Sequence, residues 1–322
     1  MNRLWRWIFG ALILLPASVY GQGAPATRPA VAKASTVARL PAGVRAIRNV
    51  RYGEAPGKAN LLDVYLPESP DATPRPLIVW IHGGGWIGGD KAGCPAVNLV
   101  ATAGYVAASI NYRFSSEAIF PAQIEDCKGA IRFLRAHAKE YDIDPERVGV
   151  WGASAGGHLV ALLGTTGGMK EVEGTVGGNL DQSSRVQCVV DWFGPTDFIN
   201  FADQTQANPN RPKGDPVFTL INQFFGGTVQ EKHDLAVLAS PILHISKDDP
   251  PFLIQQGEKD PLVPAPQSQT FYDALKAAGV DATLDIVAGA GHGNGFGKVQ
   301  LIEAVGFLEK HLKPTLPAQA LK

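Results

Sequence analysis

The stretch Arg147–His158, RVGVWGASAGGH, holds a short apolar run that ends in Gly152-Ala-Ser154-Ala-Gly156. The run reads as a strand and the residues beyond Gly156 as a helix, so Ser154 falls on a strand-to-helix turn. A residue on so sharp a turn holds strained backbone angles, and flanking glycines let neighbouring chains approach it. The turn lifts the hydroxyl above the sheet edge, near a helix N-terminus where developing negative charge is favoured. G-x-S-x-G alone could be a chance glycine-rich turn. The strand before it and the helix after it make Ser154 a candidate nucleophile.

Outward from this turn the same rhythm repeats. Pro76–Ile81 is nearly all apolar, as a strand covered on both faces requires, and Tyr105–Ile110, Val186–Trp192, Phe252–Gln256 and Ala282–Val287 read alike. Ile47–Tyr52 and Leu61–Leu66 alternate apolar with polar residues, as half-exposed strands do. Helical stretches are expected at about 96–103, 121–139, 155–164, 266–278 and 298–312. The alternation predicts an α/β domain over 44–315, with a mainly parallel twisted sheet and helices on both faces. Residues 197–235 break the rhythm and read as a small lid insertion. Their first half is rich in Pro, Asn and Gly and reads as mobile; the second carries Phe218, Leu220, Ile221, Phe224 and Phe225 on a short helix. Those apolar side chains must pack on the core or over the mouth of a site, and Phe224 and Phe225 are taken as candidate substrate contacts.

At the end of the Pro76–Ile81 strand stands His82-Gly83-Gly84-Gly85-Trp86. Consecutive glycines leave backbone N–H groups uncovered and able to donate to an oxyanion. A phosphate cradle would need the spacing G-x-x-x-x-G-K-[ST], which is absent. Gly84 and Gly85 are the expected donors, with Gly83 as the alternative to one of them, and Ala155, after the nucleophile, supplies another. Trp86 is a further candidate substrate contact. His82 precedes the serine and reads as a brace for its own loop.

A serine nucleophile needs a base, and the base an orienting carboxylate, in the chain order Ser, acid, His for an α/β-hydrolase. Of the seven histidines, His158 lies one turn along the serine's own helix, His233 and His244 precede the best acid, and His311 sits in a lysine-flanked helix. His292 stands in the glycine-rich GAGHGNG after a strand, where a loop can carry an imidazole over the sheet edge. Asp260 follows the strand that opens at Phe252, with Glu258 as its rival. The candidate triad is Ser154, Asp260 and His292. Glu125, Asp126, Arg132 and Arg135 read as helix-surface or helix-to-loop ion pairs, and Arg113 as a brace for the oxyanion loop.

Composition removes other classes. Net charge is −1, so no basic field attracts nucleic acid. No His, Cys, Asp or Glu grouping has metal-ligand spacing, and no cofactor is expected. Arg3 and Arg6, then the short apolar run Ile8–Leu15, Pro16 and small residues to Gly21, read as a signal peptide over 1–21. The run is shorter than the roughly 20 residues a membrane span needs, so export to the periplasm or medium is expected without stable membrane insertion. Residues 22–43 read as a disordered tether. The three cysteines, Cys94, Cys127 and Cys188, cannot all pair within one chain; Cys188 reads as a buried thiol, and a Cys94–Cys127 disulfide is the pairing that export would allow.

With HGGGW, GASAGGH, the block Ala239–Pro264, QS at 267–268 and GAGHG in view, the chain resembles the bacterial feruloyl-esterase-like carboxylesterases, relatives of the hormone-sensitive lipase family. The resemblance spans about residues 45–312. It implies an α/β-hydrolase fold, cofactor-free hydrolysis of carboxylic esters, the triad Ser154–Asp260–His292 and an oxyanion hole of Gly84, Gly85 and Ala155. It further implies a small-molecule or carbohydrate-linked ester as substrate: hydroxycinnamoyl or acetyl groups on cell-wall sugars, or other short-chain or aryl esters. The alternative on the same fold is amide hydrolysis, as by an aminopeptidase or arylformamidase. The hormone-sensitive lipase branch carries an N-terminal helical cap that residues 22–43 do not match, which leaves substrate selection to 197–235.

Overall fold

An apolar run such as Leu77–Ile81 has no side fit for water, so it is stable only at the centre of a sheet covered above and below. In the computed structural model, which describes residues 40–69, 73–212 and 216–313, strand β3 (Arg75–Ile81) is buried along its whole length. Around it lie β1 (Val44–Arg51), β2 (Leu61–Pro67), β4 (Val106–Ile110), β5 (Ile143–Ala153), β6 (Cys188–Trp192), β7 (Phe252–Gly257) and β8 (Ala282–Val287). They form one sheet in the order β1-β2-β4-β3-β5-β6-β7-β8, antiparallel at β1 and β2 and parallel from β4 to β8. The expected strands are all present; β5 starts earlier than its apolar run because Arg75 pairs with Ile143 across a register shift.

Successive side chains of the central strands feed two cores. Ile78, Trp151 and Val190 pack with Leu99 and Val100 of α1 (Val97–Ala103) and Ala304 and Leu308 of α8 (Lys298–Leu312). Val79, Val150 and Ile254 pack on the other face with α2 (Ala122–Ala136), α3 (Ala155–Thr165) and α7 (Ala265–Ala277). Period-two alternation in the strands thus produces the helices-on-both-faces layout. The expected signal peptide, and the tether up to residue 39, lie outside the described residues.

Asp126 and Arg132 are buried and take the second of the two arrangements expected of them: Asp126 takes a bidentate grip from the Arg113 guanidinium at 2.8 and 2.9 Å, and Arg132 donates to the carbonyls of Glu173 and Val176. These are helix-to-loop links, needed because the loops around α2 would otherwise leave buried carbonyls without donors. Cys94 and Cys127 are free buried thiols in cores on opposite faces of the sheet, so they do not pair.

The segment 197–235 leaves the sheet after β6. Its polar half is not bare loop: it forms α4 (Phe201–Gln206), and Gln267 of α7 pins its root by accepting from the N–H groups of Thr196 and Asp197 at 2.7 and 2.8 Å. Asn208 donates to the Asp260 carbonyl at 2.9 Å. The apolar half is α5 (Val217–Phe225), followed by α6 (His233–Leu238). Ile221, Phe224 and Phe225 are fully buried and join the core on the α3 side.

Candidate active site

The parallel strands β3, β5, β6 and β7 all end at one edge of the sheet, and the chemistry collects there. Ser154, between β5 and α3, has φ 57° and ψ −121°, the strained conformation expected of it. Gly156 makes that turn feasible, since a Cβ there would sit 2.1 Å from the Ile81 carbonyl oxygen. The serine hydroxyl lies 2.8 Å from His292 Nε2, and His292 Nδ1 lies 2.7 Å from Asp260 Oδ2. Asp260 is buried, with both oxygens engaged: Oδ1 accepts from the N–H groups of Leu262 and Val263, and Oδ2 from Gln256 Nε2 at 3.1 Å. Carboxylate, imidazole and hydroxyl stand in one hydrogen-bonded line, able to move a proton off Ser154.

Of the three expected oxyanion donors, Ala155 directly follows Ser154, and Gly84 and Gly85 lie on the loop after β3. Gly84 and Gly85 adopt φ 115° and 61°. Their N–H groups, and that of Ala155 at the first position of α3, take no acceptor among the described residues. Gly83 packs behind the nucleophile, where a Cβ would meet the Ala153 carbonyl oxygen at 2.6 Å. His82 braces its loop: it is buried, its Nδ1 sits 2.8 Å from the Gly83 carbonyl, and its ring stacks on Tyr112. The Arg113–Asp126 pair holds the next segment, whose Ser115 donates its N–H to the Trp86 carbonyl at 2.8 Å.

Trp86, Phe224 and Phe225 are not at the mouth of the site. They are 3%, 0% and 0% exposed and form an aromatic floor with Phe120, Phe198 and His158. The reason is packing: α5 turns its phenylalanines inward, and Trp86 stacks on Phe224 at 4.5 Å while its indole donates to His158 Nδ1 at 3.2 Å. From the insertion it is Leu220 that reaches the glycine loop after β3, with its Cδ1 2.7 Å from where a Cβ on Gly85 would stand.

Three further residues escaped the sequence reading. Gln256 steadies Asp260 and is itself held by Ser268, whose hydroxyl donates to Gln256 Oε1 at 3.0 Å. Phe193, at φ 45°, sets its ring edge against His292 at 4.7 Å. The signal for Gln256 was present, since two glutamines close the otherwise apolar run Phe252–Ile254. The signal for Phe193 was not, because a left-handed phenylalanine has no sequence mark.

His158 carries a pH consequence. Its Nε2–H donates to the Ala239 carbonyl at 2.8 Å while Nδ1 accepts from Trp86, so the neutral ring satisfies both neighbours. Burial lowers its pKa to about 4. The unfolded chain therefore binds this proton first, and the stability His158 contributes is complete above about pH 6.5 and drains away as pH falls toward 4. A loss on the order of 3 kcal/mol is expected across that window, read as a falling urea midpoint that His158→Gln flattens.

The BD-FAE family model matches residues 62–275, and the chain belongs to that family of hydrolases on the α/β-hydrolase fold. A probable carboxylic ester hydrolase, LipM of Mycobacterium tuberculosis, is 34% identical over 233 residues, covering 71% of this chain and 51% of LipM. The chain spans roughly half the length of such curated relatives. Among solved structures, a truncated carbohydrate esterase from gut microbiota is 34% identical with TM-score 0.71, over 83% of this chain and 96% of that one. The butyrate-bound esterase Est2 of Thermogutta terrifontis is 26% identical with TM-score 0.66, over 85% and 97%.

Proposed function

We propose that the protein is an exported serine carboxylesterase that removes short or aryl acyl groups, with acylated cell-wall carbohydrate as its substrate class. The reading rests above all on the unbroken line Ser154–His292–Asp260. The carbohydrate side is supported by the likeness to the gut carbohydrate esterase, and the short acyl side by the butyrate-bound relative. Export is supported by the arginine-flanked apolar leader, and is tested by cell fractionation with sequencing of the mature N-terminus.

In this mechanism neutral His292 takes the Ser154 proton at Nε2 as Oγ attacks the ester carbonyl. Asp260 holds the Nδ1–H tautomer and stabilises the imidazolium. The tetrahedral oxyanion is stabilised by the N–H groups of Gly84, Gly85 and Ala155, aided by the positive end of α3. His292 then returns the proton to the departing alkoxide. Water, deprotonated by the same ring, frees the acid from the acyl-enzyme.

The deciding assay is a panel of p-nitrophenyl esters from acetyl to decanoyl, with methyl ferulate and acetylated xylan. Turnover of none of them above the Ser154→Ala blank overturns the reading. Leu220 stands over a proposed oxyanion donor, so it limits the room beside the reacting carbonyl. Leu220→Ala is expected to raise kcat/KM for butyryl over acetyl esters on the order of tenfold, the scale on which a pocket discriminates a methylene or two.

A further inference from the structure

Of the buried acids that the mechanism does not use, Asp191 is the one among the described residues with a carboxyl oxygen left without a partner. Asp191, the fourth residue of β6, is fully buried, with Gly152 of β5 and Ile254 of β7 beside it in the sheet. Its Oδ1 accepts the Gly194 N–H at 3.0 Å, and its Oδ2, equally buried, has no hydrogen-bond partner. The group is wedged tightly: a Cβ on Gly157 of α3 would lie 2.4 Å from Oδ1, and one on Gly194 2.7 Å from it. A carboxyl group left half-satisfied in a protein interior is expensive and calls for a reason.

The turn it ties, 191–194, touches both ends of the proton-transfer pair. The Trp192 carbonyl accepts the Ser154 N–H at 2.8 Å and so anchors the nucleophile's backbone. Phe193 is held left-handed by its own N–H bond to the Gln255 carbonyl and presses its ring on His292, with Gly293 packed against the same ring. We propose that Asp191 is a positioning residue for ester hydrolysis: it fixes the turn that holds Ser154 and His292 in register, and its neutral form is the one that supports the fastest turnover. The proposal rests on the triad reading above.

Burial is the dominant influence on Asp191 and raises its pKa to about 7, against a lowering by the Gly194 N–H. The group is thus neutral in mild acid and becomes an anion above neutrality. That anion would have one oxygen without a donor, beside the first turn of α3, whose positive end supports the oxyanion through Ala155. Among the described residues no other ionisable group faces it to take over this titration. His158 of α3 is turned to Trp86 and Ala239; β7 carries no titratable side chain; Cys188 of β6 and Asp144, Glu146 and Arg147 of β5 lie back toward the starts of their strands. Asp260 and His292 stand beyond the end of β7, paired with each other.

The test is kcat and KM for p-nitrophenyl acetate between about pH 6 and 9, corrected for background hydrolysis. In the wild type kcat should decline about two- to fivefold on the alkaline side, with KM steady, the scale of a charge at a helix end. Asp191→Asn keeps an acceptor for Gly194 and has no proton to lose, so its alkaline decline should vanish. A wild-type profile with no alkaline decline overturns the proposal without requiring any variant to fold, and so does a decline that persists in the folded Asn variant. Ser154→Ala, run alongside, separates the failures: an inactive Ser154→Ala protein with an unchanged Asn profile removes only Asp191's role, whereas surviving turnover removes the triad reading beneath it.

Discussion

Ser154→Ala is expected to lower kcat for p-nitrophenyl acetate by about 10⁴–10⁶-fold while the protein remains folded. The size follows from what is lost. Without Oγ no acyl-enzyme forms, and His292 and Asp260 have no nucleophile to serve, so the three members fail together rather than additively. What survives is the proposed oxyanion cradle of Gly84, Gly85 and Ala155, which would still polarise a bound ester toward water. The fold survives because the serine is half-exposed and its hydroxyl is tied only to His292, while its backbone stays anchored on the Trp192 carbonyl. Circular dichroism and the melting temperature should match the wild type. A folded variant that keeps more than about a tenth of wild-type turnover would remove Ser154 from the role.

The sheet and the triad could be read early because each depends on local marks. Covered strands announce themselves as apolar runs, and a strained serine turn between a strand and a helix needs its glycines. Chain order then leaves few histidines and few acids, and Asp260 and His292 meet Ser154 in the structure as that order requires. The aromatic residues were harder. Phe224 and Phe225 share a short helix with Leu220, and periodicity cannot tell which face of an inserted helix meets the core and which meets a substrate. That decision is made by partners distant in sequence: Trp86, Phe120 and Phe198 supply the surface that α5 covers. Asp191 was hidden for the same reason. In the run VVDW it looks like an ordinary strand-end acid, and only the closure of Gly157 and Gly194 over it makes it dry.

The burial of α5 turns the expected effect of Phe224→Ala from specificity to stability. Phe224 is fully buried, stacked on Trp86 at 4.5 Å, with Phe225, Phe120 and His158 at 5.0, 5.2 and 5.6 Å. Its carbonyl also accepts the Phe120 N–H at 2.9 Å, so α5 is fastened to that loop through backbone that the substitution leaves in place. Removing the ring opens a cavity among aromatic side chains too rigid to close it, and the expected loss is about 3–5 kcal/mol. For a domain of this size that corresponds to roughly 10 °C in melting temperature. Leu220 still faces Gly85, so the ratio of kcat/KM for butyryl over acetyl esters, measured well below the transition, should stay within about twofold of wild type. An unchanged melting temperature with a shifted acyl ratio would return Phe224 to the mouth of the site. The opposite pattern, a much less stable enzyme with the same preference, fits an aromatic floor in which Phe224 packs against Trp86.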